Sequence, residues 1–546
     1  MASATDLHPY VEFLFDADPI LASEQGDDRG SDRLGDIEPE AIADQDARRR
    51  EFLAQAEAPA RAEPATGSRE CLEHALLLTE LRTAVRRAET EQVWRRAPYW
   101  YAERLGQALS VLMTPDGSAA EALLGRLRAL PGYLRQAQRN LTTDTPQLWA
   151  EMGVTASIGL QRFLTGAVPG YAAELPAALG ADIRRSAEAA AAAAGGYTGF
   201  VEELAGRANG TWAAGTEHFD FLLATYHHLD LDAAGLAEHG RDLVERDRRE
   251  LVSFAASLDP ESGWQQQLDR IKDHHPEPSD FLRTYETAMG NAQQHTREHD
   301  LVGLPDGAVC EMDWVPEYQR AGLPLGVMSP SPPYAPGLRS GFLITPADPA
   351  ASPQQRREHM RDNCFVFATS IAGHETYPGH HVQYVHHKLG TARDSIGRYF
   401  STPQFVEGWG LYVEDLLEET GFMADERVRL FKRRNSLWRA LRVVIDVGLH
   451  TSALTIDSAT ELMQQQAGMD RHMAAGEVQR YARHDNPTYP SSYVLGRDLL
   501  HRIREQYRRR AGSRFTLREF HDRLLSFGSP PLALLPPDLD LPDSGH

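Results

Sequence analysis

Apolar residues recur every three or four positions along most of the chain, the mark of helices that bury one stripe. Between Glu70 and about Ala137 the repeat is carried by Leu76, Leu77, Leu78 and Leu81 and then by Leu105, Ala108, Leu109 and Leu112, so long helices are expected. Residues 146–206 continue it. The run Ala189–Ala194 has high helix propensity, and Gly195-Gly196 is expected to stop it. Further helices are expected over 212–258, 353–373, 427–454 and 458–467. Thr402-Pro403 predicts another start, because threonine caps a helix and proline suits its first position. The first 65 residues, with their acidic Gly26-Asp27-Asp28-Arg29 stretch, predict short helices joined by a loop. One region breaks the period. From Leu304 to about Ala347, prolines at 305, 316, 324, 330, 332, 333, 336 and 346 exclude a long helix and predict loops with a few short strands. The pattern is mainly α, with a small β/loop region near residues 304–347.

Composition narrows the class. Apolar residues make up 42% and charged residues 25% of the 546, an ordinary globular balance. The net charge of −22 argues against a nucleic-acid partner or an anionic membrane surface, both of which call for clustered Lys and Arg. Arg508-Arg509-Arg510 is local and reads as a solvated helix end. Three widely spaced cysteines, Cys71, Cys310 and Cys364, imply no disulfide framework. The first residues carry no basic and apolar leader, and no later segment is apolar enough to span a bilayer, so a cytoplasmic location is expected. We expect a single unit over 1–535, with a mostly helical lobe over 1–300, a metal-site lobe over 301–535, and a disordered tail at 536–546.

The chemistry concentrates in His374-Glu375-Thr376-Tyr377-Pro378-Gly379-His380-His381. Imidazoles are common zinc donors, and a carboxylate directly after the first is where a metallopeptidase helix keeps its general base. Two ligands on one helix face normally sit at i and i+4, but here that position is Pro378. On an unbroken helix His381 would return to the face of His374 about 10 Å further along, too far to share one ion. Pro378 lacks an N–H and Gly379 tolerates unusual backbone, so the pair predicts a bulge or kink. Extruding two residues there makes His380 the favoured second ligand, with His381 as its competitor.

A downstream glutamate would complete a three-ligand set and leave one position for water, with Glu375 taking that water's proton. Glu407 lies early in the helix that Thr402 starts, and Glu414, seven residues on, can orient a ligand histidine. Tyr489 and Tyr493, in a loop leading into a helix, can donate to an oxyanion. Arg497 and Arg504 can hold a substrate carboxylate. His218, His227 and His228, with Asp230 and Asp232 nearby, could suggest a second metal, but the ordinary structural reading is the stronger one, because adjacent residues on a helix diverge by about 100°.

The His374–His381 block, Phe405-Val406-Glu407-Gly408-Trp409-Gly410-Leu411-Tyr412, Tyr493-Val494-Leu495-Gly496 and Phe520–Leu525 closely resemble the bacterial domain-of-unknown-function 885 family, over nearly the whole chain. Gly26–Arg29 and Gly528-Ser529-Pro530-Pro531-Leu532 fit the same pattern. That family looks like a distant relative of the gluzincin zinc peptidases, which implies a large helical architecture with a deep channel. It also implies one Zn2+ held by His374, His380 and Glu407, with Tyr493 near the reacting centre. The family usually reads Pro-Gly-Gln where this chain has Pro487-Thr488-Tyr489-Pro490, which bears on substrate choice. The expected activity is zinc-dependent hydrolysis of an amide bond in a short peptide or aminoacyl conjugate. The expected catalytic residues are Glu375 and Tyr493, with Tyr489 and Arg497 binding substrate. The alternatives are a specialised amide hydrolase in small-molecule biosynthesis, or a non-catalytic metal-containing ligand-binding protein.

Overall fold

The computed structural model describes residues 7–58, 68–114, 116–315, 320, 326–537 and 539. The protein is mainly α, with one three-stranded sheet among the described residues. Two main cores organise the helices. One draws on residues from Tyr10 to Leu539, the other on residues between Ile20 and Leu204. The second core is built from long helices at Pro98–Ser110, Ala120–Asn140, Gln147–Thr165 and Ala177–Ala205.

The last of these corrects an expectation. Gly195-Gly196 does not stop the alanine-rich helix, which runs on to Ala205. A Cβ at Gly195 would come 2.9 Å from the Gln161 amide, so this glycine serves close packing against the neighbouring helix, and packing overrides propensity. The first residues also hold more helix than their pattern suggests, with Pro39–Glu57 following the short Pro9–Ala17 and Pro19–Glu24. Residues 538 and 540–546, most of the expected tail, lie outside the described residues. Among the described residues, no helix is long and apolar enough to cross a membrane.

The proline-rich stretch supplies the sheet. β1 (Ala308–Trp314), β2 (Gly326–Ser329) and β3 (Leu338–Ile344) lie in the order β1-β3-β2, with β3 parallel to β1 and antiparallel to β2. Val309, Glu311 and Asp313 of β1 are exposed, while Cys310 is buried.

Three helices carry most of the conspicuous side chains: Phe365–Glu375, Pro403–Glu419 and Tyr489–Ala511. The last two cross in backbone contact. A Cβ on Gly408 would stand 2.5 Å from the Gly496 Cα, and one on Gly496 would stand 1.9 Å from the Gln404 carbonyl oxygen. The C-terminal segment ties this region together. Ser529 Oγ accepts from Gln383 Nε2 at 2.6 Å and is hydrogen-bonded to His387 Nδ1 at 2.8 Å, while Thr402 N donates to the Ser529 carbonyl at 3.0 Å. Residues 528–532 are thereby a strap across the two helices that begin at His380 and Pro403.

Candidate metal centre

The helix Phe365–Glu375 ends on His374 and Glu375. At Thr376 the backbone leaves the helix, passes a cis Tyr377–Pro378 peptide and begins a new helix at His380. The expected bulge is thus a complete break. Glycine is required at its end, since a Cβ on Gly379 would lie 1.8 Å from the His374 carbonyl oxygen. Trp409 pins the turn by donating from Nε1 to the carbonyls of Pro378 at 3.0 Å and Gly379 at 3.3 Å.

The break brings two imidazoles together. The rings of His374 and His380 are 4.8 Å apart and perpendicular, and ligand atoms of His374, Glu375 and His380 all lie within 4.8 Å of one another. Glu407 enters from the next helix, its Oε2 3.6 Å from His380 Nε2. His381 turns away. Its buried ring packs 5.0 Å from Tyr377, with neither nitrogen hydrogen-bonded to a described residue, against a separate cavity that Gln293 and Arg297 also line.

Two of these groups, His374 and Glu407, have support behind them. His374 Nδ1 is 2.8 Å from Glu414 Oε1, and the same oxygen accepts from Arg439 Nη2 at 3.0 Å. The His374 ring fits only because residue 410 is glycine, where a Cβ would lie 2.5 Å from His374 Cε1. Tyr489 donates its hydroxyl to Glu407 Oε1. Tyr493 stands edge-on to Tyr489 at 5.7 Å.

The electrostatics follow from burial among opposite charges. Burial works against a charged His380, but the carboxylates of Glu407, Glu375 and Glu414 outweigh it and raise the imidazole above its ordinary value. Burial also opposes a charged Glu407, yet His380, Tyr489 and His374 hold it down at about 2. Glu414 is lowered as well, against its burial, chiefly by Arg439. Burial and the neighbouring Glu407 keep the Tyr489 and Tyr493 hydroxyls protonated. The Glu375 carboxylate is half-buried and takes no hydrogen bond from the described residues.

Other expected residues lie elsewhere. Arg497 is buried and committed to Asp498, with Nε–Oδ1 at 2.9 Å, and lies 4.0 Å from Asp415. Arg504 donates to the Tyr412 hydroxyl and to Glu419. The histidines of the 212–258 stretch diverge, His218 to Glu91, His227 to Thr488 and His228 to Thr79. Two residues at the site escape the sequence reading. Tyr384 follows His380 by one helical turn, a spacing that could have marked it, and its phenol is raised by burial and by Glu407 and Glu375. Arg439 lies far along the chain, and no local pattern announces it.

As a donor set, two buried imidazoles and a carboxylate suit a borderline divalent ion such as zinc. The buried His380 Nδ1 has no hydrogen-bond partner among the described residues, and His374 already has the carboxylate support that metal-bound histidines receive.

The sequence profile of the family described as "Bacterial protein of unknown function (DUF885)" matches residues 19–539. The chain belongs to this family. Two solved structures share the fold. One is a candidate lipoprotein of unknown function from Shewanella oneidensis, 19% identical, with a TM-score of 0.77 over 96% of this chain and 97% of that one. The other, a candidate lipoprotein from Colwellia psychrerythraea, is 18% identical, with a TM-score of 0.82 over 97% and 96%. No curated protein matches.

Proposed function

We propose that this DUF885 protein is a metal-dependent hydrolase of amide bonds in short peptides or aminoacyl conjugates, related to the gluzincin peptidases. One observation carries the reading. The His374–Glu375 pair at a helix end, His380 at the next helix start and Glu407 on a third helix converge, and Glu414 supports the first imidazole from behind.

His374, His380 and Glu407 would hold the ion. When bound, zinc would polarise the scissile carbonyl and acidify a water. A Glu375 oxygen would take one proton from an attacking water as the water oxygen bonds to the carbonyl carbon, and would return it to the nitrogen as the C–N bond breaks. The hydroxyl of Tyr493 stays protonated and can donate as charge develops on the carbonyl oxygen. Tyr489, whose one hydroxyl proton is given to Glu407, orients that carboxylate.

Glu375→Gln and the unsubstituted protein should each retain one equivalent of zinc, while hydrolysis falls roughly 100- to 10,000-fold, the worth of a positioned general base. Metal-free purified protein, or a variant that hydrolyses normally, would defeat the proposal. The site tyrosine at position 489, where the family usually has glutamine, favours a second reading as a specialised hydrolase in small-molecule biosynthesis. Rapid cleavage of ordinary dipeptides, set against aminoacyl amides, removes that version. Saturable ligand binding without chelator-sensitive turnover would point to a non-catalytic protein. Subcellular fractionation decides between the expected cytoplasm and the envelope that the lipoprotein descriptions of the two similar structures suggest.

A further inference from the structure

Two guanidiniums stand along the tyrosine wall of the site and take no part in the chemistry above. Arg442, from the helix Glu426–His450, lies 4.7 Å over the Tyr493 ring and 4.3 Å over Trp438. Arg480, from the helix Arg471–Tyr481, lies 5.5 Å over Tyr481. Both reach the same acceptor, Glu477 Oε2, with Nη2 at 3.2 Å in each case. The Tyr481 hydroxyl donates to that oxygen too, at 2.7 Å.

Two cations thus share one carboxylate beside the site. The donors are in surplus as well. Among the described residues, Arg442 Nε, Arg480 Nε and Trp438 Nε1 are buried with no hydrogen-bond partner, and neighbouring Arg439, with one Nη on Glu414, leaves Nε and Nη1 in the same state. Buried guanidinium donors without acceptors are costly, and an arriving anion would relieve that cost. Access runs through Arg480, whose side chain is 37% exposed, whereas that of Arg442 is 7% exposed. Arg497 and Arg504 differ in this respect, because each already has a carboxylate of its own.

We infer that Arg442 and Arg480 form a carboxylate subsite, so that the substrate is a short peptide or acyl-amino acid with a free carboxylate, bound with that group against the tyrosine wall. A planar guanidinium matches a carboxylate with two parallel hydrogen bonds, and stacking on Tyr493 and Trp438 fixes the plane of Arg442 in advance. The inference rests on the proposed function for the bond that is cut, but not for the ligand that is bound.

Binding tests it without turnover. The zinc-loaded Glu375→Gln protein is titrated calorimetrically with N-acetylalanine and with N-acetylalaninamide, which differ only in the carboxylate. The acid should bind at least roughly tenfold more tightly, the worth of a charged hydrogen bond. Adding Arg480→Gln should abolish the difference and Arg480→Lys should keep part of it, with the melting temperature showing that both variants fold. The preference should persist after chelation, since the metal is not the carboxylate's partner. Equal affinities, binding of neither compound, a preference that survives Arg480→Gln, or one lost on chelation would each overturn the subsite. Preference without hydrolysis of any amide by the unsubstituted protein would leave the subsite standing and remove the proposed reaction, while hydrolysis without preference would do the reverse.

Discussion

Replacing Gly410 with alanine tests how firmly the first imidazole is held. The added Cβ would stand 2.5 Å from His374 Cε1, 2.8 Å from Nε2 and 3.1 Å from Nδ1. Ordinary contact begins near 3.4 Å, so the ring must retreat by 3.4 − 2.5 = 0.9 Å. It has little room to do so. His374 is 4% exposed, and its Nδ1 is tied to Glu414, itself held by Arg439. A retreat of that size opens the 2.8 Å bond to Glu414 and carries the ring beyond the ~0.2 Å tolerance of a metal–ligand distance. Overpacking costs about 1–3 kcal/mol and a strained charge-assisted bond about 1.5–3 kcal/mol, offset by about 1 kcal/mol from the better helix propensity of alanine. The net expectation is a loss of roughly 1.5–5 kcal/mol, with zinc affinity reduced about 10- to 100-fold. Gly199 is the control. It lies inside a helix with nothing within 4 Å of its Cβ position, so Gly199→Ala should stabilise by about 0.5–1 kcal/mol. Urea unfolding and competitive zinc titration read both effects. If Gly410→Ala unfolds at the same urea concentration as the unsubstituted protein and binds zinc equally well, His374 is not confined as described.

Two further outcomes follow from buried carboxylates. Burial raises Asp446 to about 7, against the N–H groups of Thr488 and Ser491 and the Ser491 hydroxyl, which favour its charged form. An acid whose folded pKa exceeds its unfolded value contributes stability that is complete below the unfolded value and lost as pH rises through the folded one. Unfolding free energy should therefore fall between about pH 4 and 7, and Asp446→Asn should remove that decline; a fall of the same size in the variant would contradict the assignment. Glu414→Gln deprives buried Arg439 of its counter-charge, at about 3–5 kcal/mol, and weakens metal binding about 10- to 100-fold. Calorimetric zinc titration of that variant at unchanged affinity would show that the carboxylate does not orient His374.

Much of this was open to sequence reasoning, for identifiable reasons. Helical periodicity is a local signal, so the main helices and the capped start at Thr402 could be read directly, and prolines at eight positions marked the strand region. The run from His374 to His381 exposed the candidate donors, but spacing alone left His380 and His381 in competition. The choice between them turns on a helix break clamped by Trp409, a contact spanning 30 residues. Gly195-Gly196 misled because a glycine that ends a helix and a glycine that admits a neighbouring side chain look alike in one dimension. The cationic wall left no trace, since Arg439, Arg442 and Arg480 matter only through Glu414, Glu477 and Tyr493, which reach them through tertiary packing.

Residues 407–410 each meet a different neighbour. Glu407 faces His380 and Tyr489, Gly408 the backbone of Gly496, Trp409 the turn carbonyls, and Gly410 the ring of His374. Successive residues are turned by about 100°, so these contacts girdle the whole circumference of the helix. The site is therefore governed by a single rigid-body coordinate, rotation of that helix about its own axis. At a radius of about 5 Å, a 10° turn displaces all four contacts together by roughly 0.9 Å. No one of them can be retuned alone, and the helix acts as an axle that either keeps both imidazoles, the carboxylate and the tyrosines in register or loses them together.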